Sequence, residues 1–134
     1  MALRALALPL ALLLSAAAAV PARAQEQYDI VNTTLGQVRG AVHDQHRAFR
    51  GIRFAEAPEG PRRFASPVPA EPWAPEVRDA LRPGAICPGS RAQTLIALFP
   101  GIEESEDCLF LNVYTPTRDR IVEPLPVLFW IYGG

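Results

Sequence analysis

Two cysteines, two histidines and a closing pair of glycines are the residues of this 134-residue chain whose chemistry invites a role. Cys87 and Cys108 are its only thiols, and a thiol pair can close a disulfide, help hold a metal, or stay reduced and buried. His43 and His46, with Asp44 between them, would suit an ion if they shared a helical face. Their segment follows a hairpin pattern and has no helical period, so a solvated turn is the expectation. Neither cysteine has a histidine near it in sequence, which argues against zinc, and nothing in the chain calls for a metal or a cofactor. Gly133-Gly134 ends a continuous apolar run, and backbone without side chains can approach a ligand closely there.

Composition sets the compartment in which those groups work. Net charge is -1, so no basic surface suggests nucleic acid or anionic lipid. Residues 1–24 read as a signal peptide: Arg4, an Ala/Leu run from Ala5 to Val20, then Ala22-Arg23-Ala24 with small residues where a signal peptidase cuts. The alternative is an uncleaved anchor, but a run of about 16 residues is short for a span of roughly 20. Cleavage after Ala24 would leave no stable membrane span and a secreted or periplasmic product. In an oxidising compartment the two cysteines are better read as a disulfide than as free thiols. Such a bond would close a loop of about 20 residues and contribute about 3 kcal/mol.

The elements that position these groups read mostly as strands and loops. Ser105 to Pro116 has a charged start, then Leu109, Leu111 and Val113 on one face and Phe110, Asn112 and Tyr114 on the other, a strand stopped by proline. Ile30-Val31 and Gln37-Val38-Arg39 flank a turn and predict a hairpin. That turn includes Asn32-Thr33-Thr34, the form of an N-glycosylation sequon, which matters only in a host that glycosylates. Phe49, Ile52, Phe54 and Phe64 want burial along a path made irregular by Gly51, Pro58, Gly60 and Pro61. Fourteen prolines, concentrated between Pro58 and Pro100, predict long loops with little helix, with Trp73 as an anchor and a short strand over Val77 to Leu81. Leu95 to Phe99 is an apolar patch suited to a helical turn or a cover. Val127 to Tyr132 is apolar without alternation, the pattern of a strand buried on both faces. The acidic run before Cys108 is a solvated approach, with Glu106 singled out as an ion-pair partner.

Four segments together resemble the type-B carboxylesterase/cholinesterase family: Phe49-Arg50-Gly51-Ile52-Arg53-Phe54-Ala55-Glu56-Ala57-Pro58, Gly60-Pro61-Arg62-Arg63-Phe64, Ser105 to Pro116, and Trp130-Ile131-Tyr132-Gly133-Gly134. The resemblance covers nearly all of 25–134 and matches the first fifth or so of such an enzyme. It implies the N-terminal portion of an α/β-hydrolase fold, a small antiparallel sheet leading into the first strands of a central one. It also implies that Cys87 and Cys108 bridge a loop beside the active site, and that Arg63 pairs with Glu106 at that loop's base. Were that pair well buried, losing one member would cost about 3–5 kcal/mol. Gly133 and Gly134 would begin the oxyanion loop, whose second and third glycines donate N–H groups to the tetrahedral oxyanion.

The family's triad is serine, acid and histidine, with the serine in a G-x-S-x-G elbow. Ser66, Ser90 and Ser105 all lack the flanking glycines, and the family order places the histidine far beyond His43 and His46. The chain therefore reads as carrying no catalytic residue: a fragment of an exported serine carboxylesterase, inactive alone, whose complete parent would take a small-molecule carboxylic ester. No tryptophan lies between Cys87 and Cys108, against a choline site of the cation–π type. Two other readings remain at this point, a fragment of a non-catalytic adhesion protein on the same scaffold and a small disulfide-bridged binding module. The module reading conflicts with Val127 to Tyr132, which needs sheet partners and is an aggregation hazard without them.

Overall fold

The computed structural model describes residues 26–89, 96, 98, 101–122 and 124–131. The segment read as a signal peptide and the glycines at 133 and 134 lie outside those residues, as do Leu95, Ala97 and Phe99 of the apolar patch. Ile96 and Leu98 are helical, with Leu98 exposed.

Strand β1, Gln27–Asn32, pairs antiparallel with β2, Gln37–Val42, in the register Asn32↔Gln37 to Gln27↔Val42. The turn between them is held by Thr33, whose N–H donates to Gly36 O at 2.9 Å and whose hydroxyl donates to the same oxygen at 2.7 Å. The His43–His46 segment is a tight turn as expected, closed by His43 N–H donating to His46 O at 2.8 Å, and leads into β3, His46–Arg53.

β2 and β3 pair only at Ala41↔Ala48 and Val42↔Arg47 and then diverge. Strand β4, Val77–Asp79, enters the gap parallel to β2, from Gln37↔Val77 to Arg39↔Asp79. The residue after it ties both sides together: Ala80 N–H donates to Arg39 O at 2.8 Å, and Ala80 O accepts Arg50 N–H at 2.7 Å. Strand β5, Phe110–Pro116, completes a five-stranded sheet by pairing antiparallel with β3.

The core lies where the divergence makes room. Val38, Phe49, Trp73 and Ala80 are buried together, with Val31, Leu35 and Ile52 packed around them. Strand alternation puts Val38 and Gly40 on the inner face, and the Phe49 ring occupies the space a side chain at Gly40 would need, 2.5 Å from where its Cβ would sit. Trp73 anchors the proline-rich connection: its indole N–H donates to Gln37 O at 2.9 Å, so its polar end is satisfied on burial.

The run from Val127, read from sequence as a doubly covered strand, is not a strand in this chain. Residues 124–131 have no ladder partner among the described residues, and Val127 is 91% and Trp130 80% exposed. A strand is stable only when a neighbour takes its N–H and C=O groups, and none of the described elements does so here. Phe64 also departs from its expected burial. It is fully exposed at φ 59° in the turn after the 3-10 segment Gly60–Arg62, with the Arg63 guanidinium 5.5 Å from its ring.

Candidate functional site at the disulfide loop

The site is built from the end of β3 and the start of β5. Their ladder runs Phe49↔Val113 and then Ile52↔Leu111, so β3 carries one extra residue, a bulge over Arg50 and Gly51. Two N–H groups are thereby turned away from the ladder. Arg50 finds Ala80, as above, and Gly51 donates to Asn112 Oδ1 at 2.9 Å. Gly51 sits at φ 75°, and a Cβ there would lie 2.5 Å from Arg82 O, so both the backbone and the space require glycine.

Beyond the bulge the two strands carry the base of a loop closed by the Cys87–Cys108 disulfide. Ile86 N–H donates to Glu103 O at 2.8 Å, and Ile86 O accepts Ser105 N–H at 3.0 Å, which joins the two limbs independently of the sulfurs. The Phe110 ring lies directly against Gly84, 2.3 Å from where a Cβ would be. Arg53, opposite Phe110 in the register, stacks over that ring at 4.6 Å. Its fork grips Asp107, with Nη1 to Oδ1 at 2.7 Å and Nη2 to Oδ2 at 2.6 Å. Bidentate geometry and partial burial make this the best-formed ion pair of the loop base.

Arg63 and Glu106 also form an ion pair, with their side chains 50% and 39% exposed. That exposure removes the premise of a large cost, because pairs in such surroundings are worth about 0–1 kcal/mol. The structure thus gathers Cys87, Cys108, Arg63 and Glu106 at one place. Gly133 and Gly134 lie outside the described residues, and nothing about their geometry follows from it.

Two networks escaped the sequence reading. One is Arg53–Asp107, whose signal was the β3–β5 register: antiparallel pairing of these strands brings Arg53 beside Phe110 and within reach of the acidic run. The other joins Asp29 on β1 to Arg47 on β3 and to Arg118. Arg47 is buried, at 7% exposure, with Nη1 donating to Asp29 Oδ2 at 2.6 Å and Nε donating to Pro116 O at 3.0 Å. Arg118 adds Nε to Oδ2 at 3.1 Å and Nη2 to Oδ1 at 3.0 Å. The Arg118 guanidinium first, then Arg47, hold the Asp29 carboxyl below its ordinary range against the opposing pull of burial. This network fastens β1, β3 and the segment just after β5 to one another.

A match to the model of the carboxylesterase family spans residues 27–134, and the chain belongs to that family. It is 45% identical over 117 residues to cocaine esterase of Oryctolagus cuniculus, covering 78% of this chain and 22% of that protein. It is 37% identical over 107 residues to para-nitrobenzyl esterase of Bacillus subtilis (strain 168), covering 80% and 21%. Among solved structures, a thermophilic PNB esterase superposes with TM-score 0.60 at 34% identity, over 67% of this chain and 18% of that one. The fold is accordingly the N-terminal portion of an α/β hydrolase, here mostly strands. The chain spans about a fifth of the length of the curated relatives it matches. Among the described residues no helix is long and apolar enough to cross a membrane.

Proposed function

We propose that this chain is the N-terminal segment of an exported serine carboxylesterase that hydrolyses small carboxylic esters through an acyl-enzyme. The observation that carries the proposal is the family match across 27–134, with relatives named for ester hydrolysis, such as cocaine esterase and para-nitrobenzyl esterase. In that reading residues 1–24 are a leader removed after Ala24, and the disulfide forms on export. The segment supplies scaffold and part of the oxyanion loop, not the nucleophile. The sulfur bridge, the Arg53–Asp107 fork and the Ile86 hydrogen bonds fix the loop base. Gly133 and Gly134 begin the oxyanion turn, where backbone N–H groups would stabilise the negative oxygen of a tetrahedral intermediate. Serine, acid and histidine belong to further sequence, since no G-x-S-x-G stands in these residues.

The test is hydrolysis of a short-chain nitrophenyl ester. The purified 134-residue chain should show no turnover above buffer, whereas a polypeptide continued through an elbow serine should hydrolyse the ester. Within that longer polypeptide, Gly134→Pro deletes one backbone donor and should lower kcat by about 10²–10³ if the amide serves the oxyanion. Turnover by the short chain, with contaminating hydrolases excluded, would refute the assignment.

A further inference from the structure

We infer that Asn32 is an acceptor for an N-linked oligosaccharide whenever the chain passes through a compartment that contains an oligosaccharyl transferase. The sequon Asn32-Thr33-Thr34 stands at the tip of the β1–β2 hairpin, and all three residues are exposed. The structure divides the work between its two threonines. Thr33 builds the turn: besides its bonds to Gly36 O, its hydroxyl accepts Leu35 N–H and Gly36 N–H, each at 3.2 Å. Thr34, the residue whose hydroxyl the transferase reads, makes no side-chain hydrogen bond among the described residues. The Asn32 carboxamide is held by its oxygen, which accepts Gln37 Nε2 at 2.9 Å, while Nδ2 makes no hydrogen bond among the described residues.

A second observation gives the modification a consequence. Strand alternation sets Asn32 on the same face of β1 as Tyr28 and Ile30, which are 44% and 48% exposed on a strand whose outer edge has no ladder partner among the described residues. A glycan at the end of that row would cover an apolar, open edge of the kind that seeds association.

The transfer balances without an outside oxidant or reductant. Asn32 Nδ2 bonds to the anomeric carbon of a polyprenyl-pyrophosphate-linked oligosaccharide, the anomeric C–O bond breaks, the pyrophosphate leaves with the electron pair, and the amide loses one proton. The inference rests on the export reading above, so its test separates the two. The full chain is translated with transferase-bearing microsomes, once with its own N-terminus and once behind an independent cleavable leader, and protease protection reports lumenal delivery.

Behind the independent leader, the protected chain should carry a single endoglycosidase-sensitive mass step. That step should vanish in Asn32→Gln and Thr34→Ala and persist in Thr33→Ala, which loosens the turn but keeps the sequon. A protected chain without the step, or a step that survives Asn32→Gln, overturns the site. Loss of protection with the chain's own N-terminus alone overturns the export reading and leaves the acceptor assignment standing.

Discussion

The side-chain oxygen of Asn112 on β5 accepts the backbone N–H of Gly51 on β3 at 2.9 Å, at the one place where the ladder between those strands breaks register. A side chain thus replaces a missing backbone acceptor. Asn112→Ala should destabilise the chain by about 0.5–1.5 kcal/mol, read from the urea midpoint. Gly51→Ala should cost more, because its left-handed backbone alone carries about 1–2 kcal/mol before the contact with Arg82 O is counted. Equal midpoints for the two variants would contradict this account of the bulge.

Acid should weaken the sheet through Asp29. Its folded-state carboxyl is held below the ordinary range, so the stabilisation is complete above the unfolded value of about 3.9 and is lost as pH falls through the lower folded value. Tm measured from about pH 5 downward should therefore decline less steeply in Asp29→Asn than in the parent. At neutral pH the same variant should be less stable, since the buried Arg47 loses its counter-charge.

The two ion pairs at the disulfide loop should differ in weight. Arg53→Met removes a bidentate, half-buried partner of Asp107 and the stacking on Phe110, and should lower stability by about 1–3 kcal/mol. Arg63→Met should change it by no more than about 1 kcal/mol. Limited proteolysis between Cys87 and Cys108 in the reduced chain should quicken for the first variant and hardly for the second.

Tryptophan fluorescence can report the exposed arm. In Trp73→Phe only Trp130 remains, and its emission should be that of a solvated indole, readily quenched by acrylamide. Replacing Val127, Phe129 and Ile131 by serine should raise the soluble fraction of the chain, since these side chains are exposed together. Blue-shifted, protected emission from Trp130 would show that this segment is covered after all.

Local pattern was a good guide wherever neighbours in sequence are neighbours in space. The β1–β2 hairpin, the turn at His43, the alternating β5 and the Trp73 anchor each announce themselves through period, turn residues or size. What could not be read depends on partners far along the chain. β4 was visible as a short strand, but not that it would enter between β2 and β3. Asn112 showed only as one of the residues alternating along β5, because its role exists only opposite a bulge. The apolar run from Val127 carries the pattern of a buried strand, yet pattern states a preference, and no strand among the described residues pairs with it. Arg63 and Glu106 meet, but their sequence context gave no measure of how much water would reach them.

The late arrival of β4 between two earlier strands also constrains the order of assembly. β1 and β2 can zip together as soon as Val42 has left the ribosome, because their contacts are local. Beyond Ala48, however, β2 and β3 have no ladder of their own, and residues 77–81 must emerge before that seam can seal. Synthesis therefore passes through an interval in which a finished hairpin stands beside an open cleft, and a nascent chain stalled before Ala80 should give up the second half of β3 to proteases while keeping its first hairpin intact.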